Sequence, residues 1–170
     1  DPRAISSFLD RFKDNEQLFL HQIALGSHDD IVQFYQSNGF PEDTASKELR
    51  PNGWDLSGSI KKPKNHLLEN PWCTFTETIK IQSLTLDTWL RSMTEISKID
   101  LLRLDVQGAE MDIFNNGQKA LHITDYIYTE LYEGQSNLSE LQSFLVDFEL
   151  IKLFPNDALF KRKSQYAFRI

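Results

Sequence analysis

Three carboxylates stand where two apolar runs end. Leu101, Leu102, Leu104 and Val106 surround Asp105, with Gln107, Gly108 and Glu110 just beyond, and the run from Asp125 to Leu131 carries Glu130 near its far end. In open α/β sheets, ligands bind beyond the carboxyl ends of the strands. Consecutive parallel strands joined by a helix can lie about 5 Å apart. Asp105, Glu110 and Glu130 are therefore expected to converge on one small volume, with Gln107 at its mouth. Clustered carboxylates raise one another's pKa and serve as a base or grip a cation. A plainer reading stands beside this one. Glu110 suits the positive end of a helix dipole, and Glu130 simply ends a strand.

Other constellations compete poorly. His21, His28, His66 and His122 lack metal-ligand spacing, so a zinc site has weak support. His28-Asp29-Asp30 reads as an exposed acidic turn and His66 as a loop histidine. Cys73 has no fixed partner and reads as a silent thiol. The sequence has no Gly-x-Ser-x-Gly elbow, no Walker loop and no Gly-x-Gly-x-x-Gly. Lys61, Lys62 and Lys64 form a small basic knot, read as solvated surface.

The elements that must position the acids follow from periodicity. Asp1-Pro2 caps and starts a helix whose apolar face is Ile5, Phe8, Leu9 and Phe12, suited to covering a sheet. Gln17–Ala24 alternates as a strand, and residues 24–27 form the turn after it. Ile31–Tyr35 is a further short strand. Residues 37–73 form a long irregular loop, rich in Gly and Pro, which Trp54 and Trp72 anchor. Thr74–Ile81 is a strand, and Thr85 caps the helix bearing Trp89, Leu90 and Met93. The near-continuous apolar run to Val106 predicts a strand buried on both faces. A helix starts at Ala109 and ends near Asn116-Gly117. Asn137-Leu138-Ser139-Glu140 reads as a capping box. Leu150–Phe154 and Gln165–Ile170, with Pro155-Asn156-Asp157 between, read as an antiparallel pair. Alternating strands and helices argue an α/β fold with a largely parallel sheet.

The chain has 170 residues and a formal net charge of −7. That excess of acid argues against a nucleic-acid surface. No apolar run approaches the roughly 18 residues of a membrane span. A single cysteine permits no internal disulfide and fits a reducing compartment, so a cytoplasmic location is the expectation.

Ile99-Asp100-Leu101-Leu102-Arg103-Leu104-Asp105-Val106-Gln107-Gly108-Ala109-Glu110 resembles the FkbM-type methyltransferase signature Ile-Asp-Leu-Leu-Lys-Ile-Asp-Val-Glu-Gly-Ala-Glu. The departures are Arg103, Leu104 and Gln107. Ala24-Leu25-Gly26, Thr85-Leu86-Asp87 and Tyr128-Thr129-Glu130 resemble other family stretches in the same order. The resemblance implies a Rossmann-like sheet, mostly parallel with an antiparallel C-terminal pair, that binds S-adenosylmethionine. It implies methyl transfer to a hydroxyl oxygen of a small molecule or glycan. Ala24, Leu25, Asp105 and Val106 would lie on the cofactor; Asp105, Glu110 and Glu130 would be catalytic; Gln107 and Glu130 would meet the acceptor.

The family's Asp-x-Gly-Ala-Asn-x-Gly loop and Phe-Glu-Pro turn are not in this sequence. The resemblance therefore implies the C-terminal portion of one domain, lacking the first two strands. Such a portion would carry a gap of roughly 14 Å in its sheet and unpaired edges that invite association, and alone would be poorly stable. Two other readings remain at this level: a non-catalytic module binding through 37–73, and a divalent-metal enzyme built on the carboxylates.

Overall fold

The computed structural model describes residues 1–49, 53–63, 66–132 and 134–164. In chain order these form α1 (Pro2–Phe12), β1 (Ala24–Leu25), β2 (Asp30–Gly39), α2 (Thr44–Leu49), α3 (His66–Glu69), β3 (Cys73–Leu84) and α4 (Leu86–Ser92). There follow β4 (Ile99–Leu104), α5 (Glu110–Asn115), α6 (Gln118–His122), β5 (Thr124–Glu130), a 3-10 turn (Gly134–Asn137), α7 (Leu138–Phe144), β6 (Phe148–Leu153) and β7 (Asp157–Arg162). The fold is α/β with mixed sheets, in two compact units.

The first unit holds Asp1–Ala24 and Asp30–Ser83. Asp1 caps α1 by accepting from the Arg3 N–H at 3.0 Å, as the Asp-Pro start requires. β2 and β3 pair antiparallel, with Phe34 opposite Ile79 and a bulge between Gln36 and Asn38. Trp54 and Trp72 meet edge to face at 5.4 Å, so this part of the irregular stretch does pack down. That stretch is less irregular than expected: β2 runs on to Gly39, and α2 and α3 lie within it. His66 opens α3 rather than lying in a loop. Lys64 falls outside the described residues.

Gln17–Ile23 forms no strand; only Ala24–Leu25 joins a ladder, where a turn was expected. Leu18 and Phe19 are exposed. Alternation makes a strand only where a neighbour takes its backbone hydrogen bonds. Here Asn15 instead captures the Gln17 and Leu18 N–H groups in a turn.

The second unit holds Leu25–Asp29 and the chain from Leu84 onward, with strand order β4-β5-β7-β6. β4 and β5 are parallel, with Leu102 opposite Ile127 and Leu104 opposite Thr129. β7 runs antiparallel to both β5 and β6. The expectation of a mostly parallel sheet is corrected: among the ladders with described registers, only β4–β5 is parallel. The reason is that β7 turns back at Pro155-Asn156 and inserts beside β5. The antiparallel pair is therefore 148–153 with 157–162; Gln165–Ile170 lies outside the described residues.

One face of this sheet is the core. Leu104, Ile127, Ala158 and Phe160 pack with Ile113 and Phe114 of α5, Leu121 of α6 and Leu141 of α7. β4 is not buried on both faces, as its sequence suggested: it is an edge strand, and Leu101 on its other face is 55% exposed. The capping box at Asn137 also fails to form. The 3-10 turn runs straight into α7 and gives Asn137 φ −92° and ψ 1°, not the extended backbone a capping side chain needs.

Side chains tie the short helices together. Asp29 accepts from the Thr85 N–H at 2.7 Å and the Thr88 hydroxyl at 2.8 Å, beside the expected Thr85 cap. Asp87 of α4 accepts from the Lys119 and Ala120 N–H groups at 2.9 and 3.1 Å, capping α6, whose own N-cap residue is Gly117. In the full-length protein, Asp87→Ala is expected to cost about 1 kcal/mol, with Asp87→Asn costing less, as measured by urea denaturation.

Candidate active site

The path out of β4 is a tight loop. After Leu104 the chain leaves the ladder, passes Asp105 and Val106, and turns through Gln107 (φ 53°) and Gly108 (φ 95°) into α5. Glycine is required at 108: a Cβ there would sit 3.0 Å from the Tyr132 ring, in a left-handed backbone. Glu110, the first residue of α5, reaches back over this loop. One carboxylate oxygen accepts from the Val106 N–H at 3.1 Å and the other from the Gly108 N–H at 3.0 Å. Its side chain is buried, at 4% exposure. Burial pushes its pKa up, and the backbone donors work against that rise.

The parallel pairing of β4 with β5 brings Glu130 to the same end of the sheet. The Gln107 side-chain amide joins the two strand ends. Its Nε2 donates to Glu130 Oε2 at 2.9 Å and to Asp105 Oδ1 at 3.2 Å. Asp105 Oδ2 receives Arg103 at 2.9 Å, and the Arg103 guanidinium lies 6.0 Å from the Tyr128 ring centre. Asp157, at the start of β7, is the register partner of Glu130. Tyr128 bonds to Asp157.

Glu130 therefore has acids on both sides. Burial is the largest cause that pushes its pKa up to about 7; the charges of Asp105, Glu110 and Asp157 add to this, and the Gln107 amide opposes it. A half-buried carboxylic acid that titrates near neutrality, beside an ionic Asp105–Arg103 pair, can take a proton from a weakly acidic group. Its surroundings also favour a cation. Among the described residues, no three His, Cys, Asp or Glu side chains gather as metal ligands.

The structure thus brings together Asp105, Gln107, Glu110 and Glu130. Val106 takes part through its N–H, while its side chain packs on the core. Ala24 and Leu25 form β1; Ala24 belongs to the first unit, and Leu25 packs against the core of the second. Sequence reasoning passed over Arg103, Tyr128 and Asp157 as site groups. Arg103 was within reach, since residues two apart share a face of a strand and Arg103 precedes Asp105 by two. Asp157 was not, because only the antiparallel return sets its register.

The class this geometry defines is an α/β protein with an acid-lined site at the ends of a parallel strand pair. Residues 3–160 match the Methyltransferase FkbM domain, and the chain belongs to that family. It is 39% identical over 160 residues to the 2-O-methyltransferase NoeI of Sinorhizobium fredii, a match covering 91% of this chain and 62% of that protein. The chain thus spans less than two thirds of that relative's length. No solved structure matches it.

Two outcomes test the geometry. Glu110→Ala leaves two loop N–H groups without their acceptor and is expected to cost about 2 kcal/mol or more, read by denaturant unfolding of the full-length protein. Glu130 carries the pH signature. Its folded pKa of about 7 lies above the 4.5 of a free glutamate, so the folded state holds a proton that the unfolded chain releases. Stability is therefore highest below pH 4.5 on this account and falls as pH rises through 7. Glu130→Gln should flatten that fall, so that the variant gains on the wild type at pH 8 and not at pH 4 in paired unfolding curves.

Proposed function

We propose that the protein transfers a methyl group from S-adenosylmethionine to a hydroxyl oxygen of a small molecule or glycan. The observation that carries this reading is the joining of Glu130 to Asp105 through the Gln107 amide at the end of the β4–β5 pair, in a half-buried setting that pushes the Glu130 pKa up to about 7. Membership of the FkbM family supports methyl transfer. The name of the Sinorhizobium relative, a 2-O-methyltransferase, supports an oxygen as the methyl acceptor. The parallel β4–helix–β5 unit supports the Rossmann-like arrangement that the resemblance implies.

The residues fit the cofactor in charge. Asp105, Glu130 and Asp157 line the site, and Arg103 is the cation paired to one of them. S-adenosylmethionine supplies an electrophilic methyl on a positively charged sulfur. Asp105, with the backbone at Val106 and with Leu25 of the same unit, would hold that group. Glu130 would orient the acceptor hydroxyl and take its proton, and the bound donor would supply the methyl that the oxygen receives. Glu110 acts at one remove, by fixing the loop from which Asp105 and Gln107 project. Alignment of acceptor and methyl supplies much of the rate.

The test is methyl transfer by the full-length protein from methyl-labelled S-adenosylmethionine to glycans with free 2-hydroxyls, with calorimetric titration of S-adenosylhomocysteine beside it. Binding and transfer are expected. Glu130→Gln should lower kcat by about 100-fold or more while leaving S-adenosylhomocysteine binding in place. A full-length protein that neither binds S-adenosylhomocysteine nor transfers label overturns the reading and favours a non-catalytic module.

A further inference from the structure

We propose that Gln107 is a positioning residue: its side-chain amide clamps Asp105 to Glu130 and leaves one defined oxygen of Glu130 facing the acceptor. This rests on the reading of Glu130 as the proton acceptor and adds to it the group that aims it.

The backbone is the first ground. Among the described residues, Gln107 is the non-glycine residue held at positive φ. Such a conformation is costly for a residue with a Cβ, and it persists where surrounding contacts over-determine it. The Glu110 carboxylate already holds the loop through Val106 and Gly108. The Gln107 amide is not needed for that task, and it points elsewhere.

The hydrogen-bond count is the second ground. A glutamine amide nitrogen has two hydrogens. In Gln107 both go to carboxylates, one on the residue after β4 and one at the end of β5, 23 positions along the chain. Asp105 is then held on both oxygens, by Gln107 and Arg103. Glu130 is held on Oε2 alone. Among the described residues nothing donates to its Oε1, and that atom is not sealed from solvent. The clamp thus selects which oxygen meets a hydroxyl.

Charge is the third ground. Glu130 faces Asp105 and Glu110 from the β4–α5 loop and Asp157 from β7, while Arg103 is bound to Asp105. A neutral donor at 107 touches both anions without adding the third negative charge that the glutamate of the FkbM signature would bring. An acid there would repel both.

The experiment is a carboxyl-carbon NMR titration of Glu130 in the full-length protein without ligand, in wild type, Gln107→Asn and Gln107→Glu, together with pH profiles of kcat/KM. Asparagine tolerates positive φ but is one methylene too short to reach Glu130, so the loop is kept while the clamp is lost. The Glu130 midpoint is expected to rise by about half a unit or more in Gln107→Asn and further in Gln107→Glu, with the acid limb of kcat/KM moving alongside. Midpoints that stay at the wild-type value in both variants, with only KM raised, overturn the clamp and make Gln107 an acceptor contact. Glu130→Gln separates the two readings. If it keeps the acid limb, Glu130 is not the base, yet the NMR midpoints still decide whether Gln107 governs it.

Discussion

The site hangs on one buried carboxylate. Glu110 accepts from two backbone N–H groups of the loop that precedes its own helix. Burying a charge is costly unless hydrogen bonds replace the lost water. Here the replacement is charge-assisted, and the carboxylate lies in the first turn of α5, where the helix end is electropositive. The consequence is geometric. Val106 and Gly108 are both tied to Glu110, and Gln107 between them takes φ 53°. Asp105 and Gln107 then project from a loop that Glu110 holds in place.

Sheet topology supplies the other half. β5 lies between β4, which it meets in parallel, and β7, which it meets antiparallel. The parallel pairing puts the ends of β4 and β5 side by side. The antiparallel pairing puts the beginning of β7 at that same end. Glu130 accordingly meets the acid that follows β4 and the acid that opens β7. An all-parallel sheet would have placed the start of β7 at the far end and removed one of these charges. The insertion of β7 is thus part of what raises the Glu130 pKa, although nothing around Glu130 in the sequence announces it.

Local signals were the legible ones. The Asp1-Pro2 start, the Thr85 cap, the strands read at 100–106 and 125–131 (placed by the structure at 99–104 and 124–130) and the convergence of Asp105, Glu110 and Glu130 could be read from types and spacing, because each depends on neighbours within a few residues or on a short crossover. What failed depended on distant partners. Gln17–Ile23 alternates as a strand does but has no ladder to join. Leu101 continues an apolar run yet lies on an uncovered edge. Asn137 has the right side chain for a cap, but the preceding 3-10 turn denies it the backbone. The Gln107 bridge was hidden for a different reason: its hydrogen bonds depend on a left-handed backbone that glutamine rarely adopts.

A base that titrates near 7 has a further property under the proposed chemistry. A carboxylate of ordinary pKa is always ready to accept a proton but holds it weakly once taken. One raised to about 7 holds it better, yet is only half ionised at neutral pH. A positive ligand beside it changes that balance, since a cation favours the charged form. Arrival of a sulfonium near Asp105 would draw the Glu130 pKa down and leave the carboxylate ionised when the acceptor hydroxyl needs it. On that reading, burial and the acids around Glu130 would make the site ready once the methyl donor is in place. Burial and the neighbouring acids raise the Glu130 pKa and so lower stability at neutral pH, and under the proposed chemistry they would couple donor binding to the making of the base.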